Sequence, residues 1–127
     1  MSLLLLGAIA LAQAAPAPQI VQDARPWSGS ISSDDYPRSE WRRRIGGITV
    51  VRMLVNEGGR LAACEVTESS GNAKLDAIPC RVLQRRFRFK PARDSGGRAV
   101  AQWLGLRWKW DPKFGIDLGN PSFSPER

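Results

Sequence analysis

From Ile48 onward the side chains alternate between two faces with a period of two residues, which predicts the first strand of a sheet. From Ile48 to Val55 the residues are mostly β-branched, and Arg52 is the only charged one. Val51 and Met53, like Val55, lie on the face opposite Arg52. We therefore expect these three side chains in the core.

A tight turn after this strand predicts a hairpin. Residues 56–59 read Asn-Glu-Gly-Gly, which tolerates positive φ and lets the chain reverse its direction. The returning strand spans 60–67, and its inward residues are Leu61, Cys64 and Val66. Because the step from Leu61 to Cys64 is odd, the pattern predicts a bulge between them, at Ala62–Ala63.

Helical spacing follows the hairpin. We place the helix N-cap at Asp76, because Pro79 then lies in the first turn, where its missing N–H does no harm. The helical period ends near Phe87. Its buried face is expected to carry Leu75, Ile78, Val82 and Leu83.

The longest predicted strand runs from Val100 to Trp110. Its even positions are apolar with the exception of Gln102, which predicts that they face the core. The odd positions point to the opposite face, and they include Trp103, Arg107 and Lys109.

This order of elements predicts an α+β fold of two layers. A three-stranded antiparallel sheet (β-β-α-β) packs one face against one main helix, and one or two helical turns at 38–44 precede it. We assign the domain to residues 34–111. The flanking segments are rich in Pro, Gly, Ala and Ser, so 15–33 is expected to be a flexible lead-in and 112–127 a flexible tail.

The first fourteen residues carry no charge and read as an export signal. The apolar run Leu3–Leu11 is about nine residues long, well below the roughly 20 that span a bilayer. Ala12-Gln13-Ala14 is a typical cleavage site, so we expect cleavage after Ala14. The alternative is that residues 1–14 are the end of a truncated membrane anchor, with the true start upstream.

Composition argues against catalysis. The 127 residues include no histidine, which removes the commonest general base and the commonest metal ligand. Ser69 and Ser70 therefore read as loop and capping residues, and Asp34-Asp35 and Glu65 with Glu68 as solvated carboxylates. We expect no enzyme, no catalytic or metal-binding residues and no cofactor.

The chain contains two cysteines. In an exported chain a pair of thiols most often forms a structural disulfide. Cys64 lies on the second predicted strand and Cys80 in the first turns of the helix, across a short loop. We expect them to be bonded to each other.

The chain is basic, with a net charge of +7, and the charge is uneven. Residues 81–93 hold six cations and no acid: Arg81, Arg85, Arg86, Arg88, Lys90 and Arg93. Such a surface attracts nucleic acid, anionic lipid or an acidic protein segment, and charge alone does not choose among them.

Several motifs in order resemble the TonB C-terminal domain family over about residues 34–110. They are Tyr36-Pro37, Gly47-x-Thr49-x-Val51-x-Met53-x-Val55, Gly59-Arg60-Leu61, Glu68-Ser69-Ser70-Gly71, Leu75-Asp76 and Arg86-Phe87-x-Phe89-x-Pro91-Ala92. The resemblance implies a periplasmic domain that docks onto outer-membrane TonB-dependent receptors. It also implies an ExbB/ExbD-type proton-driven motor as a partner, if an anchor exists upstream.

The predicted docking site is the strand Val100–Trp110, placed at the sheet edge with unpaired backbone groups. An N-terminal receptor segment would pair with it in the process of transmembrane transport. The partner-binding residues expected there and in the Tyr-Pro motif are Tyr36, Pro37, Ala101, Trp103, Gly105, Arg107 and Lys109. The alternative is a cationic periplasmic protein that binds anionic lipid or nucleic acid nonspecifically, without energy transduction. We expect no specific nucleic-acid partner. A homodimer is left open, as is inner-membrane anchoring.

Overall fold

A computed structural model describes Gly7 and residues 19–127, so most of the predicted export signal lies outside the described residues. The helices are α1 (Arg38–Arg42), α2 (Ala73–Asp76) and α3 (Ile78–Arg86). The strands are β1 (Ile20–Gln22), β2 (Arg25–Ser28), β3 (Gly47–Val55), β4 (Leu61–Glu68), β5 (Arg88–Lys90), β6 (Ala92–Asp94), β7 (Ala99–Val100), β8 (Gln102–Asp111), β9 (Gly115–Asp117) and β10 (Phe123–Pro125). No helix in this described part is long and apolar enough to cross a bilayer.

The central sheet contains the three strands that the pattern predicts. β3 lies between β4 and β8 and pairs antiparallel with both. The hairpin turn at 56–59 is present, and Asn56 Oδ1 accepts hydrogen bonds from the Gly58 and Arg60 N–H groups. The register moves from Leu54 opposite Ala63 to Val55 opposite Leu61, which confirms the bulge.

The sheet is larger than predicted. β9 and β10 both pair with β8, and two small sheets form elsewhere, β1-β6-β7 and β2-β5. The prediction of a flexible lead-in and tail therefore needs correction, because four strands lie within 20–28 and 115–125. These strands are three or four residues long, too short to show a period of two. The partners of β1, β2 and β10 are distant in sequence, whereas β9 pairs with the end of β8, which directly precedes it.

The helix begins differently from the prediction. Asn72, whose Oδ1 accepts from the Leu75 N–H, caps the short helix α2, and α3 then starts at Ile78. Asp76 is the last residue of α2 and does not cap α3. The predicted buried face is correct: Leu75, Ile78, Val82 and Leu83 are all buried.

The core lies between α3 and the central sheet. Val51, Met53 and Val55 are buried as predicted, and so are the even-numbered residues of β8. Val66 lies opposite Val51 and therefore faces inward as predicted, but it is 40% exposed because β4 is the outermost strand and α3 covers only part of it. The predicted bond between Cys64 and Cys80 is present and ties β4 to α3.

Candidate partner-binding site

The odd-numbered residues of β8 form the face of the sheet opposite α3. Trp103 and Gly105 are half-buried, whereas Arg107 and Lys109 are exposed. Ala101 is also exposed and lies in the break between β7 and β8. The alternation of the strand therefore brings four of the predicted partner-binding residues to one surface.

The backbone edge of β8 is not free, which corrects the predicted edge position. Leu104–Leu106 lie opposite Phe123–Pro125 of β10, and Lys109–Asp111 lie opposite Gly115–Asp117 of β9. The Glu126 N–H also donates to the Trp103 carbonyl at 2.9 Å. An edge strand with unpaired groups attracts any available strand, and here the chain itself supplies two short ones.

A charged cluster lies on the exposed face beside β10. The Arg52 guanidinium lies 3.9 Å above the Trp103 ring, and its Nη2 approaches Glu126 Oε2 at 2.8 Å. Arg52 Nε donates to the same carboxylate at 2.9 Å. These hydrogen bonds lower the pKa of Glu126 and raise that of Arg52. The sequence pattern indicates only that Arg52 points outward, because its partner Glu126 is 74 residues away.

An aromatic cluster lies on the other face of β10. Phe123 is opposite Leu106 in the ladder, so its side chain points to the core side. Its ring centroid lies 5.5 Å from that of Phe89 in an edge-on arrangement and 6.2 Å from that of Phe87. Such pairs are favourable beyond the apolar area they bury. The two Phe residues of the Phe-x-Phe-x-Pro motif therefore form the surface that receives Phe123.

Gln102, the polar exception on the inward face of β8, joins three segments. Its Oε1 accepts from the buried Ala24 N–H at 2.7 Å, and its Nε2 donates to Asp23 Oδ1 and to the Glu126 carbonyl. Arg127 also binds the Asp23 carboxylate, at 2.9 Å. Hydrogen bonds from Arg127 and Gln102 lower the pKa of Asp23.

Tyr36 and Pro37, predicted to contact a partner, lie on the path into α1. Tyr36 is 2% exposed, and its ring packs edge-on against Trp41 and Trp110, each with a centroid distance of 5.1 Å. Its hydroxyl donates to the Ile45 carbonyl. The ring thus packs in the core, while Pro37 remains half-buried beside Asp35 and Arg86.

The serines of the Ser-Ser-Gly motif serve a structural network. The Ser69 and Ser70 hydroxyls and the Ser70 N–H all donate to the Asp76 carboxylate, as does the Thr49 hydroxyl. Thr49 Oγ1 in turn accepts from Trp110 Nε1 at 3.0 Å. These contacts explain why Asp76 follows the serines in this spacing, and they connect a loop, α2 and the central sheet.

The basic run of residues 81–93 does not form one uniform surface. Arg81 and Arg85 are exposed on α3, and Arg86 forms a two-point hydrogen bond with Asp35. That contact lowers the pKa of Asp35. The Arg88 guanidinium donates to the Phe87 carbonyl. Arg86 and Arg88 therefore make contacts within the molecule, whereas Arg81 and Arg85 remain exposed.

Comparison with known proteins gives a consistent result. Residues 32–112 match the family model described as the Gram-negative bacterial TonB protein C-terminal. The fold is similar to the solution NMR structure of the Pseudomonas aeruginosa TonB CTD, with a TM-score of 0.55 and 26% sequence identity. The similarity covers 68% of this chain and 84% of that chain. A comparison with curated proteins finds no match.

The matched family model spans the helical turn α1, the β3-β4 hairpin, helices α2 and α3 and the long strand β8. It thus includes every motif that carries the resemblance in sequence, and it covers well over half of the chain. Domains of this family serve transport and protein interaction and are not enzymes. The chain belongs to the Gram-negative bacterial TonB C-terminal family.

Proposed function

We propose that this chain is a periplasmic docking module in TonB-dependent transport and that it binds an extended segment of an outer-membrane receptor along β8. Backbone pairing supplies most of the affinity in this mode, and side chains on alternate positions add selectivity. Trp103, Gly105, Arg107 and Lys109 lie on the outward face of β8, beside the edge along which such a segment would pair.

One observation carries this proposal. The outer edge of β8 holds β10, a strand of only three paired residues, in antiparallel register. An edge that orders so short a strand has the backbone geometry that strand addition requires. The family supports the same kind of partner, since its members act in TonB-dependent transport.

The test is a titration of isotope-labelled chain with N-terminal peptides from outer-membrane receptors, followed by amide chemical shifts. We expect the largest changes within residues 101–109. Shift changes confined to residues 81–93 would contradict docking along β8.

The second candidate function is nonspecific binding of anionic lipid or nucleic acid. It is favoured by the exposed Arg81 and Arg85 on α3 and by the net charge of +7. Binding to phosphates weakens steeply with salt because counterions are released, whereas strand pairing depends on salt much less. Titration of one receptor peptide and one oligonucleotide at two salt concentrations separates the two functions.

The remaining assignments extend the same proposal. We propose export to the periplasm, a docking domain over residues 34–111 and contact of Pro37 with the receptor beside the strand. Tyr36 would then act by holding Pro37 in place. A motor of the ExbB/ExbD type is the proposed energy source for a form that carries an upstream anchor.

A further inference from the structure

We propose that the segment Ser122–Arg127, called here the 122–127 segment, is a built-in competitor of the receptor segment. In this role its Phe123 and Glu126 mark the two side-chain positions that a bound partner must fill. The partner would carry a large apolar residue and, three positions later, a carboxylate. This inference rests on the proposed function, because it assigns the recognition chemistry of the same edge.

The backbone contacts show that the 122–127 segment is held along a short ladder. Phe123–Pro125 pair with Leu106–Leu104, and Glu126 continues the ladder to Trp103. Residues 124–127 are all exposed. Segments with few buried contacts and exposed backbone bonds open at a low free energy, so a competing strand is able to replace this one.

The apolar position is defined by Phe123. Its ring meets Phe89 and Phe87, which are themselves buried at 3% and 8% exposure. Removal of Phe123 would uncover these two rings beside Leu106. A partner that displaces the 122–127 segment must therefore place an apolar side chain there.

The charged position is defined by Glu126, on the opposite face of the same strand. Arg52, which stacks on Trp103, holds the Glu126 carboxylate through three hydrogen bonds. A guanidinium of this shape is well suited to one carboxylate in two-point contact. Glu126 lies three residues after Phe123, and the two side chains therefore emerge on opposite faces of the strand.

The direct test separates the 122–127 segment from the rest of the chain. A chain ending at Leu118 is titrated with a synthetic peptide of residues 119–127, after circular dichroism and cooperative melting have established that it folds. We expect saturable binding, weakened at least about tenfold by Phe123→Ala or by Glu126→Lys in the peptide. A folded shortened chain that ignores the peptide would overturn the inference.

A second test keeps the chain at full length. Glu126→Lys places a cation beside Arg52, and Glu57→Lys in the exposed hairpin turn is the control with the same change in charge. In an antiparallel ladder the backbone N–H and C=O groups of alternate residues point to the same neighbouring strand. Those of Gly105 therefore point to β10, as those of Trp103 do. We expect hydrogen exchange of the Gly105 amide, which lies opposite Ser124 in the ladder, to rise about tenfold in Glu126→Lys only. Equal exchange in both variants would contradict the inference.

The two proposals fail in different ways. If the 119–127 peptide binds the shortened chain but no receptor peptide does, the competitor segment stands as a self-complementing strand and the receptor function is wrong. If receptor peptides bind the full-length and Glu126→Lys chains equally along β8, docking stands and the competitor role is wrong.

Discussion

Asp76 shows at the residue scale how one carboxylate organises its surroundings. It accepts hydrogen bonds from Ser69 and Ser70 in the loop and from Thr49 on β3. Burial raises the pKa of Asp76, but the hydrogen bonds from Ser69, Ser70 and Thr49 outweigh burial, so the pKa is lowered. The ionised form is therefore the one that the fold stabilises.

This carboxylate makes stability depend on pH. Because the pKa of Asp76 in the folded chain lies below its unfolded value near 3.8, the native state binds fewer protons than the unfolded state between the two. The stabilisation is complete above the unfolded pKa and is lost as the pH falls through the folded pKa. We expect Asp76→Asn to lower the unfolding free energy at pH 7 and to flatten its decrease toward pH 2. Denaturant unfolding across this pH range measures both effects.

Asp34→Asn is the control for this experiment, since Asp34 is an exposed carboxylate in the turn before Tyr36. Its side chain takes no part in the Asp76 network, so Asp34→Asn should leave the unfolding free energy at pH 7 close to that of the unchanged chain. An Asp76→Asn profile parallel to the unchanged one would contradict the role given to Asp76.

Gln102 provides a second test at the residue scale. Gln102→Ala removes the acceptor of the buried Ala24 N–H and leaves that donor unsatisfied, at a cost of about 1–3 kcal/mol. The exposed Gln84 on α3 offers a matched control, for which Gln84→Ala should change stability by less than about 0.5 kcal/mol. Chemical denaturation compares the two, and equal stabilities would show that the amide contributes nothing.

At the scale of elements, the disulfide links the outer strand of the hairpin to the helix. The Cα atoms of Cys64 and Cys80 lie 5.6 Å apart, and the cysteines are 16 residues apart in sequence. A loop of this length should stabilise the fold by about 3 kcal/mol in the chain-entropy model. We expect the double variant Cys64→Ser, Cys80→Ser to lose this amount in urea unfolding.

Reducing agent provides the control for that measurement. It should destabilise the unchanged chain and leave the double serine variant as it was. Free thiols in chain purified without reductant would contradict the disulfide.

The pairing of strand β8 depends on its neighbours and cannot be predicted from its own hydrophobic pattern. Alternation correctly predicts that Leu104 and Leu106 point inward and Trp103 outward. It contains no information on which edge of the strand is paired, because backbone pairing is independent of which face a side chain occupies. The covering strand β10 includes Pro125, and two other prolines precede it in a Pro- and Gly-rich stretch. Such a composition is typical of a loop.

At the scale of the whole molecule, segments from both ends of the described chain meet on β8. Asp23 binds Gln102 and Arg127, so residues separated by 104 positions are in direct contact. The lead-in and the tail are therefore attached to the domain.

The predicted export signal is open to a direct test. Residues 1–14 lie outside the described part apart from Gly7, and their sequence predicts cleavage after Ala14. Mass spectrometry of periplasmic protein should find Ala15 at the N-terminus, and Ala14→Arg should block the cut. An intact Met1 in the membrane fraction would favour an anchor.

The elements that could be predicted are those whose pattern is long enough to average over many side chains. Strands β3, β4 and β8, the buried face of α3, the bulge after Leu61 and the family followed from alternation, turn residues and motif order, which are local properties. Three features could not be predicted and follow from the packed fold: β10 covers β8, Asp76 binds across elements, and Gln102 joins segments near both ends of the described chain. Most of these contacts join residues far apart in sequence, and the short segments that make them carry no periodic signal of their own.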